Sequence, residues 1–189
     1  MKKYDVSLTD RIKGFFGFNR SKYPNPDKLR EVYTGDYSLV KGTGNKRGIE
    51  TSSQSDRPVM ATWGVGPCIT LCGYDPKYKT GFLVHDSEDR KICHTTDDLV
   101  EKLQEQMKGL DFQFYLVGGF QGWSNDVLRK VERYLTQRFP DGKVVYKDVL
   151  DKGDIFHPGK SFVLDTRNGE VYCLDPTKPI SQMGISIED

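Results

Sequence analysis

From Pro58 onward the chain alternates short apolar runs with glycine-rich or charged breaks. Val59-Met60-Ala61-Thr62-Trp63, Cys68 to Tyr74 and Thr80 to His85 are separated by Gly64-Val65-Gly66-Pro67 and by Asp75-Pro76-Lys77-Tyr78-Lys79. Runs this short, rich in β-branched and aromatic residues, predict three strands joined by two turns. The period then changes. Leu99, Leu103, Met107 and Leu110 recur at helical spacing behind Thr95 and Asp98, a pair spaced as in a capping box, so a helix is predicted over about 96–109. Phe112 to Val117 is an apolar run ended by Gly118-Gly119, and Ser124 precedes a second helical pattern of Val127, Leu128, Val131, Tyr134 and Leu135 that Pro140 closes. Strands are predicted again near Lys143 to Lys147, Ser161 to Asp165 and Glu170 to Leu174. Thr166-Arg167-Asn168-Gly169 joins the last two, and its Asn-Gly suits a tight hairpin.

The first third of the chain is less patterned. Residues 1–33 mix charge, glycine and the doubly proline-restricted Tyr23-Pro24-Asn25-Pro26, which reads as an irregular N-terminal extension. A short strand is predicted around Tyr37 to Val40. Lys41 to Arg57, almost free of apolar residues, reads as a surface loop inserted at 41–57. The sum is one α/β domain over 34–189, built from mixed sheets with two main helices and no internal repeat.

Composition narrows the function classes. With 189 residues, 36% of them hydrophobic, the chain can bury one substantial core. Lys plus Arg (28) nearly cancels Asp plus Glu (27), which offers no electrostatic footprint for nucleic acid. No apolar run approaches the roughly 18–20 residues of a membrane span, and the opening MKKYDVSLTDRIKGFF is polar where a signal peptide is apolar. No membrane insertion is expected. The expected compartment is the cytoplasm, the alternative being delivery into another cell without a Sec-type signal. Cys68, Cys72, Cys93, His94 and His157 contain no CxxC or HxxxH spacing, so neither metal nor cofactor is expected.

Cys68 is the candidate nucleophile, because it follows Gly64-Val65-Gly66-Pro67 directly and opens an apolar strand, at the mouth of a turn that substrate can approach closely. An unassisted thiol, with a pKa of about 8.5, is only slightly ionised at neutral pH and needs a neighbouring imidazole. His85 is the candidate base. In a hairpin about Asp75 to Lys79, residues whose numbers sum to about 155 face each other, which sets His85 against Thr70 and makes Cys68 its diagonal neighbour. A slip of one residue would turn His85 to the other face, and the sequence leaves that register open. Composition and spacing alone favour a plainer reading, in which Cys68 packs and His85 is a satisfied strand-end histidine. Cys72, deeper in the same strand, reads as a core residue.

The run Thr62-Trp63-Gly64-Val65-Gly66-Pro67-Cys68-Ile69-Thr70-Leu71-Cys72-Gly73-Tyr74-Asp75-Pro76, followed by Gly81 to His85 with His85 seventeen residues after Cys68, resembles the signature of the CheD family of chemoreceptor glutamine deamidases. The similarity continues through Val117-Gly118-Gly119, Asn125, Gly159-Lys160, Phe162 to Asp165 and the Thr166 to Val171 hairpin. If it begins at Gly35-Asp36-Tyr37 it covers about 140 of the 189 residues. The resemblance implies a triad of Cys68, His85 and Thr62 on a layered α/β/β fold, shared with toxin deamidases of the cytotoxic necrotizing factor type. It implies hydrolysis of a glutamine side-chain amide to glutamate, with release of ammonia, on a protein substrate that is chemoreceptor-like or some other protein. Backbone N–H groups of Gly66 and Cys68 are the expected oxyanion donors, Pro67 having none.

Three features depart from the family pattern around the site: Pro67 precedes the cysteine, Trp63 follows the threonine, and the acidic Asp86-Ser87-Glu88-Asp89 follows the histidine. The acidic stretch, the 41–57 loop and the N-terminal extension point toward a target other than an ordinary chemoreceptor, including the substrate of a bacterial effector. The alternatives are a non-catalytic CheD-like binding module that regulates a signalling partner, and a transglutaminase-like activity in which an amine replaces water.

Overall fold

The structure is a computed structural model that describes residues 37–41, 47–151 and 159–174. The extension read at 1–33, Gly35-Asp36 and His157 lie outside the described residues. The chain divides at Tyr37/Ser38 into two units, and the second, Ser38–Asp189, carries the architecture below. It is an α/β domain. Its strands are β1 (Tyr37–Val40), β2 (Gly48–Ser52), β3 (Val59–Val65), β4 (Ile69–Asp75), β5 (Thr80–Asp86), β6 (Gln113–Phe120), β7 (Lys143–Asp151), β8 (Lys160–Asp165) and β9 (Glu170–Leu174). Helix α1 (Asp89–Gln106) lies between β5 and β6, and α2 (Asn125–Arg138) between β6 and β7. A four-stranded sheet runs β1-β3-β8-β9 and a five-stranded sheet β2-β5-β4-β6-β7. The second is mixed, because β6 and β7 are parallel while its other pairs are antiparallel.

Every residue of β4 and β5 is buried, which is why these strands read as continuous apolar runs. The sheet is covered on both faces. Ile69, Leu71, Phe82, Val84, Phe114 and Leu116 pack with Ile92, Leu99 and Val100 of α1 and Leu128, Val131 and Leu135 of α2. Their sequence neighbours Cys72, Tyr74, Leu83, Tyr115 and Val117 meet Met60, Phe162, Leu164 and Val171 of the other sheet. The strand period of two therefore sorts side chains into a helix-facing core and an inter-sheet core, and the layers are α/β/β. Lys160, buried in β8, ion-pairs with Asp148 of β7 at 2.7 Å and joins the two sheets on the same side.

The β4/β5 turn is pinned by Asp75. Its buried carboxylate accepts the N–H of Tyr78 at 2.9 Å and that of Asp111 at 2.7 Å, fixing the turn and the entry to β6 together. The pairing that results runs from Ile69 with Asp86 to Asp75 with Thr80, and it includes Thr70 with His85. Gly73 lies opposite Phe82, whose ring occupies the place a Cβ would take. That ring in turn meets Phe112 edge-on at 5.3 Å.

Several expected boundaries move. Helix α1 starts at Asp89, seven residues before the expected 96, because Ile92 and Thr96 belong to the same buried stripe as Leu99 and Leu103. Thr95 is thus interior to the helix and caps nothing. Strand β6 continues through Gly118-Gly119 to Phe120, and β3 continues through Gly64 to Val65, so the turn before Cys68 is shorter than Gly64-Val65-Gly66-Pro67.

The reading of 41–57 as a surface loop is corrected for its second half. Residues 42–46 lie outside the described residues, but Gly48–Ser52 is strand β2, paired with β5 and burying Ile49 and Thr51. Two inward side chains in an otherwise polar stretch suffice for an edge strand, and they leave almost no hydrophobic signal. Ile49→Ala is expected to lower unfolding free energy by about 2–4 kcal/mol. Replacing Thr43 through Ser55 by a Gly-Ser linker should cost at least as much, both read by urea denaturation. A linker variant as stable as the parent would mean β2 contributes nothing to the sheet.

Candidate active site

Thr62 sits in β3 immediately before a bulge, since Thr62 pairs with Phe162 but Val65 pairs with Lys160, leaving one extra residue in β3. The bulge bends the strand end toward the turn that carries Cys68. Thr62 is fully buried. Its Oγ1 donates to the carbonyl of Val40 in neighbouring β1 at 3.0 Å and lies 2.7 Å from Nδ1 of His85 in the facing sheet. A hydroxyl has a single proton, and Val40 takes it, so Thr62 Oγ1 accepts from His85 and Nδ1 carries the imidazole proton. The neutral ring is left with its lone pair on Nε2. That atom is buried and has no hydrogen-bonding partner among the described residues.

The backbone N–H of His85 donates outward to Arg47 at 2.9 Å, on the β2 side, so the Thr70/His85 pair is one in which β4 and β5 exchange no hydrogen bonds and the side chains stand closest. Thr70 is itself fully buried, and its Oγ1 has no partner among the described residues. Leaving such a hydroxyl unbonded costs about 1–3 kcal/mol. Half-buried Cys68 lies in the bend one residue ahead of β4, two residues from Thr70. Continued by one residue beyond its paired range, the β4/β5 register would make Cys68 the diagonal neighbour of His85, a relation that in regular strands sets Cα atoms about 7–8 Å apart.

The Cys68 turn is tied down by its carbonyls. Gly66 accepts from Gly119 at 2.8 Å and Pro67 accepts from Ser124 Oγ at 2.6 Å, while Ser124 Oγ accepts the N–H of Phe120 at 3.0 Å. Ser124 thus stands at the start of α2 without a side-chain cap bond, its hydroxyl being drawn to the Cys68 turn. Gly118, at φ 96°, lets β6 lie against this turn, because a Cβ there would overlap Val65 and come within 2.6 Å of the Cys68 carbonyl oxygen. Gly66 is removed as an oxyanion donor, since its N–H is engaged by Gly64 at 2.9 Å. With Pro67 lacking an N–H, the amide of Cys68 is the donor this turn retains.

Burial pushes the Cys68 thiol up and the nearby Asp86 carboxylate adds to that rise. Burial lowers His85 to about 4, with Asp86 opposing. Both groups are therefore neutral at pH 7. Asp86 is nearly inaccessible. Its Oδ1 accepts from Ser87 at 2.7 Å and Glu88 at 3.1 Å at the start of α1, and Oδ2 lies 3.1 Å from Arg47 Nε.

Cys72 is buried in the inter-sheet core, as expected, and burial holds its thiol well above the usual range. Cys93 and His94 ride on α1, across the sheet from Cys68 and Cys72. Val40, Thr70, Asp86 and Ser124 were not singled out for the chemistry. Val40 acts through its carbonyl and has no sequence signal. Asp86 had one, an Asp-Ser-Glu run that suits a turn into a helix.

No protein-family model matches the chain. Among the described residues no helix is long and apolar enough to cross a membrane.

The His85 environment has a consequence for acid stability. Unfolded, the imidazole titrates near 6.5, and in the fold it titrates at about 4, so between those values the unfolded chain binds the extra proton. The contribution is complete above pH 6.5 and is lost as pH falls toward 4, on the order of 3 kcal/mol. Urea denaturation between pH 7 and 4 should show His85→Asn losing less stability than the parent. Parallel pH profiles would contradict a buried neutral imidazole.

Proposed function

We propose that the chain is a protein-glutamine deamidase related to the CheD family, with Cys68 as nucleophile, His85 as general base and acid, and Thr62 as the residue that orients His85. The observation that carries this reading is the chain of hydrogen bonds from Val40 through Thr62 to His85 Nδ1, which leaves the lone pair of the neutral ring on Nε2, able to take a proton. A thiol that merely packs has no use for a tautomer set in this way. Nε2 takes the thiol proton as sulfur attacks the carboxamide carbon, and the Cys68 amide is positioned to meet the developing oxyanion. The proton on Nε2 then passes to the departing nitrogen, which leaves as ammonia. Water hydrolyses the thioester and returns glutamate.

A protein substrate suits the surface near this turn. Trp123 is 70% exposed, in the β6/α2 turn whose Ser124 holds Pro67. An exposed tryptophan at the rim of a site is a docking element for a macromolecule more than for a free amino acid.

Mass spectrometry of glutamine-bearing proteins, including chemoreceptor cytoplasmic domains, should find about +1 Da at particular glutamines, the mark of amide replaced by carboxylate. Cys68→Ser should abolish the product. His85→Ala should slow it by on the order of 100-fold or more, and Thr62→Val by less, because the ring loses its orientation and keeps its lone pairs. Full activity without His85 would remove the triad and leave the binding-module reading. Incorporation of an added amine in place of water would reassign the second step to transglutamination.

A further inference from the structure

We propose that Thr70 Oγ1 and His85 Nε2 form a seat for the water that hydrolyses the Cys68 thioester. The inference deepens the deamidase reading and rests on it only through the acyl-thiol that any such chemistry at Cys68 would create. Its basis is a pair of buried polar atoms, each without a hydrogen-bonding partner among the described residues, on side chains that face each other across β4 and β5.

Buried polar atoms in native proteins are bonded to protein, solvent or substrate, and here the described residues supply no partner. A hydroxyl and an imidazole nitrogen on a closely spaced cross-strand pair offer two partners to one small polar molecule, the minimum that holds an internal water. Thr70 is fully buried and His85 is 3% exposed, so the position is shielded from bulk solvent. Cys68 lies two residues before Thr70, in the bend that leads into β4, so an acyl group on its sulfur is attached within two residues of this seat.

The chemistry uses the position twice. In acylation the amide nitrogen departs with the proton from Nε2, so ammonia is released next to that atom. Water is of similar size and takes the same place. One of its protons passes to Nε2, the other is held by Thr70 Oγ1, and its oxygen forms the new bond to the thioester carbon. The carbon–sulfur bond then breaks, and the thiolate recovers the proton from Nε2. Thr70 is thus a group that touches the reacting water, a part that Thr62, bonded to Nδ1 and to Val40, does not take.

The test needs no physiological substrate. p-Nitrophenyl acetate should acetylate Cys68, and intact-mass measurement with peptide mapping follows the formation and loss of acetyl-Cys68. Thr70→Val keeps the side-chain shape and removes the hydroxyl. It should acylate within about twofold of the parent rate and deacylate about tenfold more slowly or worse, and Thr70→Ser should restore deacylation. Deacylation of Thr70→Val at the parent rate would overturn the proposal. So would equal slowing of both steps, or failure of Cys68 to acylate. Slow deacylation of Thr70→Val in a protein that deamidates no glutamine would leave the water seat standing and remove the deamidase reading instead.

Discussion

Side chains alternate across a strand with a period of two, so the pairing of Thr70 with His85 decides which face of the five-stranded sheet carries the imidazole. A slip of one residue would carry His85 into the layer under the helices, away from Thr62 and Cys68. The same slip would move Phe82 and Val84 out of the helix-facing core and Leu83 out of the inter-sheet core. Each such large apolar side chain is worth about 1.5–3 kcal/mol on burial, so packing and chemistry require the same register. Asp75 adds a local constraint through its bonds to Tyr78 and Asp111. The site thus depends on the pairing of two strands, with Thr62 and the Val40 carbonyl reaching it from the other sheet.

Enclosure between the sheets sets how the pair works. In the free protein burial disfavours both thiolate and imidazolium, which leaves two neutral partners in place of a resting ion pair. In the proposed mechanism charge develops only during proton transfer, with the Thr62 bond to Nδ1 already formed. Asp86 tilts the balance in two directions, favouring a protonated His85 and disfavouring a thiolate at Cys68. The acidic stretch after His85 is therefore also part of the site's electrostatics and of the turn into α1.

Much of this was legible in the residues. The β4/β5 pairing at numbers summing to 155 follows from the apolar runs around the Asp75 to Lys79 turn, and the register found sets Thr70 opposite His85 as expected. The second helix was legible from its 3.6-residue stripe, closed near Pro140. The failures have physical causes. Strand β2 buries only Ile49 and Thr51 and so resembles a polar loop, while α1 opens with Asp89-Arg90-Lys91, charges that mask its first turn. The Val40 carbonyl and the unbonded Thr70 hydroxyl belong to tertiary contacts that no local pattern encodes. Gly66 looked available as an oxyanion donor until its N–H was found bonded to Gly64.

The central claim is that Val40 and Thr62 hold His85 as a neutral ring with its proton on Nδ1 and its lone pair on Nε2. Nitrogen-15 NMR of histidine-labelled protein at pH 7, assigned through His85→Asn, reads this directly from the two ring shifts. The account predicts a pyrrole-type Nδ1 and a pyridine-type Nε2, and loss of that fixed tautomer in Thr62→Val. An imidazolium at pH 7, or a ring with its proton on Nε2, would contradict it.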